Sequence, residues 1–395
     1  MNRPRYHQYV LSVCLIAILI SPEGFSQIRK WNKKMQKLAA TFSDVLPELS
    51  DSKPITATTQ KKLEKGAKKI LELAHTINMG PGTKGNPLPP EADPSIGFIS
   101  NMFEREVKHA YQALKAGHTS YAKAVLRTTT GYCIACHSRH DKGPDFTSSE
   151  MNKKLTATLS PMERAKLFAA TRQFDAALDG FEKIATDPKL ASENAIQWGK
   201  AIRYALNLNI RVKNDPERTL KFISDVMALP QIPGFYTAHL PLWKDQIVEW
   251  KNEKKKSLET EEELYQEAKR LSAEAQKKQR YPLDRASDVL YLRSSAIVHE
   301  LLTRFPQGKY TSEAFFLAGS AYDLLEDRLT TPLPEIYYEV CVRHSPHTEI
   351  AGQCFSRFEQ DILFGYTGSA GTFVPEEVQK LVNELRALAK PAEKP

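Results

Sequence analysis

The sequence predicts an all-α protein: an antiparallel four-helix bundle over residues 27–145, joined by a linker at 146–160 to a helical-repeat domain at 161–388. Three observations predict it. Apolar residues recur at spacings of three and four along most of the chain, the period of a helix with one buried face. No run alternates apolar and polar residues as a half-buried strand would, and no two-residue hairpin turn joins such runs. The long break at 79–94 (MGPGTKGNPLPPEADP) is rich in Pro and Gly, so it ends regular structure, yet it can run back along a bundle.

Residues 1–26 read as a secretory signal peptide. Arg3, Arg5 and His7 make a basic start, and Tyr9 to Ile20 (YVLSVCLIAILI) is an apolar run too short for a comfortable membrane span. Ser21-Pro22-Glu23-Gly24 breaks that run, and Gly24-Phe25-Ser26 offers small residues for cleavage near Ser26/Gln27. Cleavage leaves no membrane span in the mature chain and places it in the periplasm, an oxidising compartment. Retention of the leader as an anchor is the alternative.

The first mature helix carries Ile28, Trp31, Met35, Leu38, Phe42, Val45 and Leu49 as one apolar seam. The second spans roughly Thr58 to Ile77, with Leu63, Ala67, Ile70, Ala74 and Ile77 inward. The third follows the loop, about Ile96 to Lys115, with Ile99, Phe103, Val107, Ala110 and Leu114 inward. Ala116-Gly117-His118 makes a tight turn, Thr119 or Ser120 caps a fourth helix, and that helix stops near Gly143-Pro144.

From Pro161 the texture changes. ERAKLFAATRQFDAALDGFEKIATDP (163–188) approximates a tetratricopeptide helix pair, and LTRFPQGKYTSEAFFLAGSAY (302–322) resembles one more closely, with small residues where helices pack closely; a non-repeat helical domain is the alternative. Helices are expected near 192–212, 215–228, 240–254 and 261–279, and another pair over 336–363; residues 389–395 form a tail. Units of this kind bury a core only by stacking, and they offer a concave face to partners.

Hydrophobic residues make up 41% and charged residues 26%, as in globular proteins. The 55 Lys and Arg against 47 Asp and Glu give a net charge of +8, but the signs are interspersed along helix faces. That pattern argues against a nucleic-acid stripe and favours, at most, an acidic protein partner.

Of five cysteines, Cys14 leaves with the leader. Cys341 and Cys354 are expected to form a disulfide between neighbouring helices, the even count in an exported chain inviting it. The other two lie in TTTGYCIACHSRHDKG (128–143), as Cys133-Ile134-Ala135-Cys136-His137. This is the C-x-x-C-H pattern of haem attachment. Residues three and four apart share a helix face, so both thiols can add across the two vinyl groups on one edge of a haem. His137 then reaches the iron from the same side. A zinc site asks for four ligands, and apart from His140 no second Cys/His pair is nearby. A dithiol oxidoreductase places C-x-x-C at the opening of a helix beside a βαβ unit, whereas here it comes late in a helix. The reading is one covalent haem c, tethered by Cys133 and Cys136, with His137 on the iron.

An exported four-helix bundle with C-x-x-C-H near the end of its last helix resembles the class II c-type cytochromes, the cytochrome c-prime group. The resemblance covers Gln27 to about Gly143, roughly a third of the chain. It implies that the distal iron position faces the first helix. Met35 matches, by position, the methionine that some members use as second ligand, and those members transfer single electrons. Met79 and Met102 are weaker candidates. Other members leave the position open and bind small gases, which would make this chain a haem-based gas or redox sensor. The resemblance implies an electron carrier rather than an enzyme, with a redox protein as partner. It does not cover the downstream helices.

Overall fold

The computed structural model describes residues 22–49, 55–78, 82–83, 86–87, 93–141, 143, 159–254, 257–281, 284–325 and 332–391. The apolar run of the leader, Met79, most of the expected linker and the last four residues lie outside them.

The described chain is all-α apart from two short strand pairs. Helices α1 (Pro22–Leu49), α2 (Ala57–Asn78), α3 (Ser95–Lys115) and α4 (Thr119–His137) come first. Each packs on the next, and α4 closes back on α1. Leu38, Phe42, Val45 and Leu49 of α1 are buried against Leu63, Ala67, Ile70 and Ala74 of α2. Ile99, Phe103, Val107, Ala110 and Leu114 of α3 and Leu126 of α4 complete that core. The period of three and four is what puts these side chains on one face. At Gly66 α2 lies close against α1: a Cβ there would run into the Val45 side chain.

Four details depart from the sequence reading. Helix α1 starts at Pro22, inside the stretch read as a break. Proline is tolerated in the first turn because its missing N–H has no partner there anyway. The N-cap of α4 is His118 with no side-chain cap bond, so neither Thr119 nor Ser120 caps the helix. Helix α4 ends at His137 with Ser138 as C-cap, six residues before Gly143. Two-residue antiparallel pairs join Gly82–Thr83 to Asn86–Pro87 and Thr367–Gly368 to Gly371–Thr372, too short for alternation to reveal.

The second part runs through α5 (Pro161–Ala170), α6 (Phe174–Ala185), α7 (Pro188–Glu193) and α8 (Ala195–Asn207), then a π-helical turn at Leu208–Val212. Next come α9 (Pro216–Met227), α10 (Gly234–Thr237), α11 (Leu240–Asn252) and α12 (Glu261–Lys278). Then follow α13 (Asp288–Arg304), α14 (Thr311–Leu325), α15 (Leu333–His344), α16 (Glu349–Gly365) and α17 (Glu376–Ala389). Start signals are explicit: Ser160 with Glu163 and Thr260 with Glu263 form capping boxes. Asp187 and Asp215 cap helices whose first residue is proline. Helices from α12 onward pack chiefly on their sequence neighbours. Cys341 and Cys354 are bonded, tying α15 to α16 as expected.

Two contacts position the candidate site. Helix α4 packs on α5, and α3 packs on α15. The closing turns of α4 are therefore wedged between two cores. Tyr132, Ala135 and Cys136 face the core shared by α1–α4 and the C-terminal helices, whereas Cys133 and Ile134 face the core around Phe181, Trp198 and Trp243. Among the described residues, no helix is long and apolar enough to cross a membrane.

Candidate functional site

Cys133, Cys136 and His137 share the last turn of α4 and are each partly exposed. Cys133 and Cys136 are free thiols, unlike the bonded pair Cys341–Cys354. The surrounding protein encloses them closely enough that burial pushes the Cys133 thiol up to about 12, and burial raises Cys136 as well. A dithiol oxidoreductase needs the opposite, a thiol whose charged form is stabilised.

His137 is oriented by its neighbour in space. Its Nδ1 lies 2.6 Å from the carbonyl oxygen of Ala170, in the last turn of α5. A carbonyl can only accept, so Nδ1 carries the proton and the lone pair sits on Nε2. This backbone-carbonyl anchor is the arrangement by which proteins fix the tautomer and ring orientation of a metal-binding histidine. Burial lowers His137 to about 4, with the Ala170 bond acting against that shift. The ring is therefore neutral at pH 7, the form a metal requires.

The ends of α4 and α5 hold each other. Carbonyls in a closing helical turn have no partner within their own helix, and two such ends side by side bring two negative dipole ends together. Ala170 spends its carbonyl on His137. In return the buried Arg172, just past α5, donates from Nη1 to the His137 carbonyl at 2.9 Å and from Nη2 to that of His140 at 3.3 Å. Its guanidinium places a cation where both dipoles favour one. Arg172 adopts a positive φ of 63° to do so. This clasp sets the end of α4 at His137. It also makes the first helix of the second part responsible for orienting the histidine.

Met35 lies in α1, partly exposed, and packs against the same apolar cluster as Cys136. Helices α1 and α4 are in contact. The structure thus gathers Cys133, Cys136 and His137 on one turn and sets Met35 on the adjoining helix. Met102, on α3, is also partly buried against this cluster, and its sulfur accepts from Nη2 of Arg105 at 2.8 Å. His75 and His109 face Glu104 and Glu106 at the surface.

A buried polar cluster beside the motif was not read from the sequence. Arg139, two residues past His137, forms an ion pair with Asp93 of the loop before α3, and each is only 4% exposed. Asp93 also accepts from the backbone and hydroxyl of Ser95, at 2.9 and 2.7 Å. Arg139 Nη2 donates to the Tyr337 hydroxyl of α15 at 3.0 Å. One arginine thereby ties the start of α3 and the end of α4 to the C-terminal helices. Asp93-Pro94-Ser95 is the one local signal that could have flagged it, since an aspartate before proline commonly opens a helix.

Among the described residues, no group of three or more His, Cys, Asp and Glu side chains gathers to hold a bare metal ion. A haem iron asks for less, because the porphyrin supplies four of its ligands and the protein one or two. Comparison of the chain with described protein families, with curated proteins and with solved structures finds no match.

Proposed function

We propose that this chain is an exported, periplasmic monohaem c-type cytochrome that passes single electrons. The observation that carries the reading is His137: a neutral imidazole, Nδ1 anchored on the Ala170 carbonyl, on the same helical turn as two thiols spaced for a haem edge. The residues present fit the group. Cys133 and Cys136 would tether it through thioether bonds, and His137 would hold the iron through Nε2. Met35 would supply a second ligand from α1. When bound, the haem supplies one-electron chemistry at its iron. The chain supplies an apolar surround, a fixed histidine and a thioether sulfur, the last of which raises the potential.

In this reading α1–α4 form a haem bundle of the cytochrome c-prime kind, and α5–α17 form a tetratricopeptide-like array. The packing of successive helices from α12 onward supports the array, and the excess of positive over negative residues suits an acidic redox-partner protein.

Carbon monoxide tests the distal side. The reduced protein is expected to be low-spin and not to bind the gas rapidly. Met35→Ala is expected to lose the low-spin ferric spectrum and to bind carbon monoxide on mixing. Rapid binding by the unaltered protein would instead indicate an open site and a gas sensor. An unchanged ferric spectrum in Met35→Ala would remove Met35 from the iron.

A further inference from the structure

We propose that Arg211, together with Arg139 and His299, forms a buried receptor for the propionate carboxylates of the haem. The inference rests on the cytochrome reading and extends the site across both parts of the chain.

Arg211 is 4% exposed. Its Nε donates to Ser295 Oγ at 2.8 Å and its Nη1 to Asn207 Oδ1 at 3.5 Å, both neutral groups. Nη2 is buried and makes no hydrogen bond. Among the described residues no carboxylate lies within ion-pair distance of it. A guanidinium taken out of water without an anion is one of the costliest arrangements a fold can hold, so one found buried and short of partners points to an anion.

The neighbours have the same character. The Arg211 guanidinium carbon lies 4.6 Å from the centroid of the Tyr322 ring, Tyr322 stacks on Tyr337 at 5.1 Å, and the Arg139 guanidinium carbon lies 5.8 Å from Tyr337. The two cations flank a pair of aromatic rings, and of the two only Arg139 holds a carboxylate, Asp93. Arg139 Nε is also buried without a partner. His299, 1% exposed, meets the Tyr322 hydroxyl through Nε2 at 2.8 Å, and its Nδ1 is buried without a partner. After burial itself, the groups that hold His299 in its neutral form are Arg139, Arg211 and His140, all basic.

Position and chemistry select the anion. Arg139 and His140 lie two and three residues past His137, so the cluster adjoins the end of α4. A haem carries its two carboxylates on the edge opposite the vinyl groups, away from the cysteines. Planar guanidinium forks match carboxylates in two-point hydrogen bonding. Arg211 sits on a π-helical turn, the only one among the described residues, at Leu208–Val212. The extra residue per turn re-aims a side chain, and such turns recur at functional sites.

The test uses the haem-bearing protein. Arg211→Met is expected to lower the reduction potential, because loss of a cation beside the haem favours the ferric state, whereas Arg211→Lys is expected to leave it near the unaltered value. If the Met variant does not fold, Arg211→Gln, which keeps a bond to Ser295, is read in the same way. Resonance Raman on the unaltered protein is expected to place the propionate bending mode at the charge-paired end of its range. Equal potentials in the Met and unaltered proteins, equal shifts in the Met and Lys variants, or a solvent-like propionate mode would each overturn the assignment alone. A purified chain that carries no haem would overturn the cytochrome reading and this assignment with it.

Discussion

His137→Ala, produced in a host that attaches haem to exported C-x-x-C-H chains, is expected to lose nearly all low-spin haem. Loss of an outer partner that only orients a metal ligand costs roughly 10–100-fold in affinity or activity, and loss of the ligand itself costs at least as much. The reason lies in the clasp between α4 and α5. The Ala170 carbonyl, 2.6 Å away, fixes the ring so that Nε2 holds the lone pair, and burial keeps the ring neutral at pH 7. His140→Ala is the neighbouring control, expected to leave the coordination spectrum unchanged. The check is the absorption spectrum of oxidised and reduced protein per mole of chain. A His137→Ala protein with an unaltered spectrum would place the iron on another residue.

Asp93→Asn is expected to destabilise the fold by about 3–5 kcal/mol, the usual result of removing one partner from a buried ion pair. Asn keeps an acceptor for Ser95, so the change isolates the charge. Arg139 would keep the Tyr337 hydroxyl but lose the one carboxylate of the chain that it holds. The double change Asp93→Leu with Arg139→Met removes both charges and is expected to cost less than the single one. Chemical denaturation followed by far-ultraviolet circular dichroism measures both. A single variant within about 1 kcal/mol of the unaltered protein would show that solvent reaches the pair after all.

The helices were legible because their signal is local. Leu63, Ala67, Ile70 and Ala74 declare one face by spacing alone, and Ser160 with Glu163 declares a helix start within four residues. The C-x-x-C-H turn and the Cys341–Cys354 pair were legible for the same reason. What holds the candidate site was not. The partner of His137 is a backbone carbonyl 33 positions away, and no side chain at Ala170 marks that role. Arg139 meets Asp93 at a separation of 46 and Tyr337 at 198. Arg211 meets Ser295 at 84. Spacing along a chain carries no record of such meetings, which arise only once two cores have packed around the end of α4. The end of α4 itself was misplaced because the residue that fixes it, Arg172, lies beyond the next helix.

Covalent haem is read most directly by the intact mass of the purified protein, measured unfolded and reduced so that anything held only by ligation departs. The expected mass is that of the chain without its leader plus one haem, with the added mass lost in Cys133→Ala/Cys136→Ala. The mass of the bare polypeptide, from a host that attaches haem to other C-x-x-C-H proteins, would contradict it.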